Sequence, residues 1–573
     1  MANKSVFASM ARRLFPKATA VNAEGARAYP YDAEHRLAQL AMTGTFGGGF
    51  YHDAQAEVSA LVEAAMAVDP LFLAKTAVHV RDKGHMKDTP ALLLAVLSAR
   101  DPALFASAFG RVVTSGKVLR GFVQILRSGQ AGRKSLGSRP KAMVQNWLNA
   151  ATDAQLLAAS VGKDPSLADV IRMVHPKPET AERAAFYAWL IGRPADTAAL
   201  PQAVQDLLAF RAGATDKVPD VPFLMLTDLP LTPTQWAEVA RKGSWQMLRQ
   251  GLNMLHRKGA FTQPGVVAHV ADVLRNRARI GGAKAMPYQL LATLNALSPE
   301  VDDRLRDALH DAMEISVANV PVLAGSVAVC PDVSGSMLSA VTGYRPGATS
   351  VVRCIDVAAL VAAAVLRKNP TARVLPFEVK VRKARLEARD TILTNAAKLA
   401  ALGGGGTNCS APLAVLNAAR QAPDLVIFVS DNQSWVDARQ DGQATAMMAE
   451  WAQLKARNRA AKLVCIDIQP YGTTQAAERP DVLNIGGFSD AVFDQIADFA
   501  AGRMGPGHWV GQIAAVELRQ APRRSRRGRN PGECGRNYSR SRVRSPPATF
   551  GGSSAVEHLL RQTLSPEPEK QRR

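Results

Sequence analysis

Val327-Ala-Val-Cys-Pro-Asp-Val-Ser-Gly-Ser-Met337 is an apolar, β-prone run that stops at one carboxylate and two hydroxyls. The pattern puts Asp332, Ser334 and Ser336 on a tight loop just past a buried strand. Hard oxygen donors of this kind suit Mg²⁺ or another divalent cation, which takes few carboxylates and keeps part of its water. The C-terminal end of a parallel strand is also where α/β sheets place their sites. Two later stretches extend the set. Gly403-Gly-Gly-Gly-Thr407 offers a hydroxyl on a flexible loop, and Leu425-Val-Ile-Phe-Val-Ser-Asp431 is a second apolar strand ending in a carboxylate. The plain alternative is two ordinary strand-end aspartates and a Gly-rich turn; strand-loop context separates the two readings.

In order and context, Asp332, Ser334, Ser336, Thr407 and Asp431 resemble the metal-ion-dependent adhesion site of von Willebrand factor A domains. The texture around them agrees. From about residue 322, apolar strands (327–330, 374–377, 425–429, 463–468) alternate with helices (355–367, 411–420, 445–457, 490–500). That alternation predicts βαβ units around a parallel sheet, a Rossmann-like α/β domain over residues 322–505.

Upstream the chain is different. Residues 1–34 read as an N-terminal arm. From 35 to 321, helix-period apolar stretches alternate with breaks at Pro or Gly, as in 54–67 before Pro70 and 72–80 before Gly84. Thr89 before Pro90 reads as an N-cap. Many short helices with short connections predict an all-α, HEAT-like helical-repeat module, although no clean period stands out. Trp147, Trp189, Trp236 and Trp245 sit in apolar helical contexts and read as core.

The composition fits a multidomain protein of 573 residues with a net charge of +21, which points to a polyanionic partner such as nucleic acid. The five cysteines (330, 354, 409, 465, 534) have no paired spacing and read as free thiols in a reducing compartment, hence a cytoplasmic location. No apolar run reaches the roughly 18 residues that a bilayer span needs, and the first residues lack a signal-peptide core. No membrane partner is expected.

Several further motifs carry a wider resemblance. They include Met42-Thr-Gly-Thr-Phe-Gly-Gly-Gly-Phe-Tyr51, Arg81-Asp-Lys-Gly-His85, Arg172-Met-Val-His-Pro-Lys-Pro178, Trp245-Gln-Met-Leu-Arg-Gln250, and Gly486-Gly-Phe-Ser-Asp490. Together with the pairing of domains, they make the chain similar to bacterial members of the Ro autoantigen family: a TROVE module followed by a von Willebrand A domain. The resemblance spans roughly residues 25–505. It implies a monomeric ring of helical repeats closed by the A domain, with small structured Y RNAs on the outer rim and misfolded non-coding RNA ends in the central hole. It also implies a partnership with polynucleotide phosphorylase, and a metal ion completed by a carboxylate from a protein ligand. Leu167 stands where Ro proteins carry a His, which puts one family RNA contact in doubt here.

The residues support RNA binding separately. Basic side chains cluster in loops and at helix ends: Lys83, His85 and Lys87; Arg133, Lys134, Arg139 and Lys141; Arg172, His175 and Lys177. Such groups neutralise phosphates with little sequence preference. Each cluster taken singly also reads as a solvated helix face, and His175 as a helix cap.

No Ser/His/Asp order, phosphate-binding loop or zinc spacing appears, so no enzyme is expected. Cys409 lacks a His partner and reads as a half-buried thiol. The leading expectation is an RNA-binding scaffold in RNA stability and quality control. The rival is a metal-dependent, adhesion-type protein-interaction module without RNA. Residues 506–573 read as a disordered basic tail; from 519 onward they hold fourteen Arg plus Lys against four Glu, a net of ten. Val543-Arg-Ser545 and Ser553-Ser-Ala-Val-Glu-His-Leu559 can be encoded by tRNA T-loop and D-arm sequences. The tail is therefore a candidate read-through past the A domain.

Overall fold

The computed structural model describes residues 17–518, apart from 45, 49, 284, 286, 318–319, 342–351, 436–443, 470, 488–489 and 505–507. The Arg-rich stretch from 519 and its read-through reading, together with Cys534, lie outside the described residues.

Helices run from Ala33–Thr43 to Asp303–Ser316, joined by short loops. Their starts are written in the sequence. Asp53, Asp69, Ser115 and Ser244 each accept a first-turn backbone N–H, and Pro70, Pro102 and Pro233 occupy first-turn positions where no N–H is missed. Thr152 with Gln155 and Thr232 with Gln235 close capping boxes. Thr89 differs from expectation. It lies inside the Asp88–Arg100 helix, and its hydroxyl donates to the Ala41 carbonyl at 2.8 Å, joining two helices. Trp236 and Trp245 are buried, and Trp147 and Trp189 pack partly buried against the same core.

The α/β domain is built on five parallel strands in the order β4-β3-β5-β6-β8: β3 Val327–Pro331, β4 Arg373–Val374, β5 Leu425–Ser430, β6 Lys462–Asp467 and β8 Val482–Gly486. β8 and the Ile392–Ala400 helix were not anticipated. The central strands are buried on both faces, as parallel sheets require. Val327, Val329, Ile427, Val429 and Val464 face one core with Ile355 and Leu399. Ala328, Cys330, Val426, Phe428 and Cys465 face another with Leu413 and Trp451. The first of these cores is continuous with the helical module.

The helical run meets the α/β domain at both ends. The Ala33–Thr43 helix packs on β8, where the His35 ring hydrogen-bonds the Asn484 carbonyl at 2.9 Å. At the far end, helices Pro287–Ala296 and Asp303–Ser316 pack on Cys354–Lys368 and Ile392–Ala400. There Glu314 accepts from the Ile392 backbone at 2.8 Å. Both ends of the helical run thus rest on the sheet domain.

Two segments depart from the expected boundaries. Within the N-terminal arm, Ala20–Val21 (β1) and Arg27–Pro30 (β2) form a hairpin, and β2 pairs antiparallel with Thr473–Thr474 (β7) of the α/β domain. The boundary at 505 falls short, because residues 508–518 continue the fold. The His508–Ala514 helix packs against Pro70–Asp82 with Ile513 fully buried, and Ala514 accepts from Lys75. Its short apolar face was overshadowed in the sequence by the Arg-rich residues that follow.

Candidate metal centre and basic surface

β3 and β5 are neighbours in register, so Asp332 and Asp431, one residue past each strand, emerge side by side. The Asp332 N–H still bonds the Val429 carbonyl at 2.9 Å, and Ser334 N–H donates to Asp332 Oδ1 at 2.8 Å. The Ser334 and Ser336 hydroxyls lie 3.3 Å apart. The Gly-rich loop is pinned beside them by backbone contacts. Gly335 N–H donates to Gly405 O at 2.9 Å, Gly404 N–H to Val333 O at 3.0 Å, and Trp435 N–H to Thr407 O at 3.2 Å. Gly405 has φ +85°, a conformation that strains any residue with a Cβ, and a Cβ there would meet the Glu378 carboxylate.

Asp332, Ser334, Ser336 and Asp431 therefore lie at neighbouring strand ends, Thr407 sits on the adjoining Gly-rich loop, and all five are buried. Asp332 and Asp431 take part in no ion pair among the described residues. Burial, and then the neighbouring Asp431, push the Asp332 carboxyl up to about 7; burial also raises Asp431. Two buried acids that repel one another, with hydroxyls around them, form a donor set that fits a hard divalent cation. Among the described residues no group of three or more His, Cys, Asp or Glu converges as a metal cage, so such a site depends on its hydroxyls.

Three neighbours escaped the sequence reading. Asp467 ends β6 beside Asp431 and is fully buried. Neither of its oxygens has a well-formed hydrogen bond, and burial holds its carboxyl well above the usual carboxylate range. An apolar strand ending in a carboxylate was its signal, the same one that marked Asp431. Tyr51 and Glu24 come from the other end of the chain. The Tyr51 hydroxyl donates to Glu24 Oε1 at 2.6 Å. No local pattern announces either residue as part of this site.

The basic clusters are not gathered into one patch. Lys83 and Lys87 are exposed around the start of the Asp88–Arg100 helix, and His85 sits between them at φ +55°. The Lys87 ammonium lies below its usual value, chiefly because part of the side chain is covered and to a lesser degree because Lys117 and Arg81 are near. Arg133 and Arg139 lie at the opposite end of that helix, where they donate to the Ser98 and Pro102 carbonyls. Arg133 also bonds Ser135 O and Leu136 O, so its guanidinium is spent on holding a loop. Lys134 is exposed and Lys141 half-buried. Arg172 bonds Ile191 O and pairs with Asp169. His175 is the left-handed C-cap of the Leu167–Val174 helix, exposed, with exposed Lys177 beyond it. Leu167 is buried in that helix's first turn. Cys330, Cys354, Cys409 and Cys465 are thiols outside any disulfide and buried, so Cys409 is more enclosed than expected.

Residues 326–500 match the family model described as the Ro60 vWA domain. The chain is 27% identical over 533 residues to the RNA-binding protein RO60 of Deinococcus radiodurans, covering 84% of this chain and 95% of that protein. The crystal structure of the Deinococcus radiodurans RO (RSR) protein matches in fold, with a TM-score of 0.55 and 22% identity over 82% of this chain and all of that one.

Proposed function

We propose that this chain, which belongs to the Ro family, is an RNA-binding scaffold whose helical module holds structured small RNA and whose α/β domain carries a divalent-cation site. The observation that carries the RNA reading is the near full-length similarity to a protein named for RNA binding. The neighbouring cations Arg81, Lys87 and Lys117 support it, since like charges placed together are relieved by meeting phosphates. The finer reading is that the RNAs are Y RNAs and misfolded non-coding RNAs, bound for stability and quality control in the cytoplasm, with polynucleotide phosphorylase as a partner. We read the protein as a binder rather than an enzyme.

The second reading, metal-dependent capture of an acidic protein, has its own support in the geometry at Asp332 and Asp431. In this proposal Mg²⁺ is held by Asp332, Ser334, Ser336, Thr407 and Asp431, some through water. The ion's contribution is a hard positive centre that accepts one more carboxylate. The chain's own residues orient the donors, exclude bulk water by burial, and keep Asp332 fixed through Ser334.

Ultraviolet crosslinking of RNA to the protein in cells, with mapping of the crosslinked peptides, tests the assignment. Peptides from residues 81–177 are expected. A pull-down that loses its protein partner with Asp332→Ala and has no nuclease-sensitive component favours the second reading instead.

A further inference from the structure

The Trp245–Arg257 helix buries a cation without an anion. Arg249 is only 6% exposed, on a face otherwise made of Trp245, Leu248, Gly251, Leu252 and Leu255. Its hydrogen bonds run through one nitrogen: Nη1 donates to Gln289 O at 2.9 Å and to Thr293 Oγ1 at 2.6 Å. Both acceptors are neutral, and both belong to the Pro287–Ala296 helix. Nε is buried without a partner, and no ion pair among the described residues includes Arg249. The guanidinium carbon stands 5.9 Å from the centre of the Trp245 ring, which gives partial relief.

Burying a charge is costly unless an opposite charge meets it. Arginine cannot escape the cost by giving up its proton. Arg183, also largely covered, meets Asp153 at 3.4 Å. Arg120 lacks an acid too, but it is only half-buried and two of its nitrogens hold carbonyls. Arg249 is the more deeply buried cation, and what it lacks is a counter-charge.

Space for one adjoins it. A cavity of about 250 Å³ lies between the two helices, with Arg249, Gln250, Asn253 and Thr293 on its polar side and Leu252 and Leu297 among its apolar walls. No Asp or Glu lines it. The Ala296 carbonyl, at the negative end of its helix, would repel an anion, but Asn253 Nδ2 donates to it at 2.7 Å. Asn253 Oδ1 is occupied in turn by the Ser298 N–H at 2.9 Å.

We infer that this cavity binds a phosphate-type oxyanion, with Arg249 as its cationic floor and the Gln250 amide at its rim. The guanidinium fork matches phosphate oxygens, and a chain of net charge +21 concentrates phosphates around itself. Inorganic phosphate and an RNA phosphate share this chemistry, and the experiment separates them. Neither the metal site nor the RNA reading is needed for it.

The test is titration calorimetry of inorganic phosphate into the full chain, at constant ionic strength in chloride, for the wild type, Arg249→Lys and Gln250→Glu. Thermal melts check folding. The wild type is expected to show a saturable one-to-one component that acetate does not displace. Arg249→Lys keeps the charge and loses the fork, weakening that component roughly tenfold or more, the cost of one charge-assisted hydrogen bond. Gln250→Glu spares the bonds to Gln289 and Thr293, so it melts no lower than the wild type, yet it sets a carboxylate beside the guanidinium and weakens phosphate as well. An RNA hexamer that displaces the bound phosphate identifies a backbone phosphate as the occupant; one that leaves it in place identifies the free ion. Absence of the saturable component in the wild type, its displacement by acetate, or a folded variant of either kind that binds phosphate as the wild type does overturns the inference. Should Arg249→Lys fail to fold, Gln250→Glu decides.

Discussion

The Ser430 hydroxyl donates to Asp332 Oδ2 at 2.5 Å, so the last residue of β5 holds the carboxylate that follows β3. The Asn432 N–H in turn donates to Ser430 Oγ at 3.0 Å. Ser430→Ala leaves a buried carboxylate one partner short, at a cost of about 1–3 kcal/mol. Urea unfolding should show that loss, and Mn²⁺ binding should weaken because Asp332 is no longer fixed.

Asp332→Asn is expected to act in opposite directions on two observables. It removes ion binding, because a ligand charge is gone. It raises the melting temperature of the metal-free protein at neutral pH, because two buried acids no longer repel. In the wild type, protons and metal compete for Asp332, so Mn²⁺ affinity should fall as pH drops below about 7. An affinity independent of pH between 5 and 8 contradicts this.

His79 gives a pH dependence of defined sign. It is buried in the Pro70–Asp82 helix with Nε2 unpartnered, and burial, then Lys83, lower it to about 4. Between the unfolded value near 6.5 and about 4, the unfolded state takes a proton that the folded state refuses. Stability through this group is therefore complete above about 6.5 and is lost as pH falls toward 4, by roughly 3 kcal/mol at most. His79→Gln should flatten that part of the unfolding free energy against pH relative to the wild type.

Ile513 anchors the His508–Ala514 helix on the helical module. Ile513→Ala should cost about 2–5 kcal/mol, seen as a lower melting temperature. A chain ended after Leu518 should melt like the full chain, whereas one ended after Gly502 should not.

The parts of this molecule that announce themselves in sequence are those with local periodicity. β3, β5 and β6 are continuous apolar runs because both their faces are buried, and their terminal acids mark the site. β8, Val-Leu-Asn-Ile-Gly, hid behind its central Asn484, which is buried and bonded to Thr474 and Ala476. β1 and β2 hid because two- and four-residue strands have no period of their own; their pairing is decided by Thr473–Thr474, more than 400 positions away. Glu24 and Tyr51 were illegible at the site for the same reason. For the basic residues the sequence showed charge but not occupation: Arg133 is taken up by three carbonyls, a fact only packing reveals.

The central claim is that the helical module binds RNA through phosphate contacts, independently of the metal site. The direct measurement is the affinity of a structured small RNA across a salt series for the wild type, Lys87→Glu/Lys117→Glu and Asp332→Asn. The wild type should bind at low salt, with log K falling against log salt by about 0.9 for each phosphate contacted in duplex. The lysine pair should weaken binding and flatten that slope, and Asp332→Asn should leave both unchanged. No binding by the wild type at low salt, or loss of RNA binding by folded Asp332→Asn, would contradict the account.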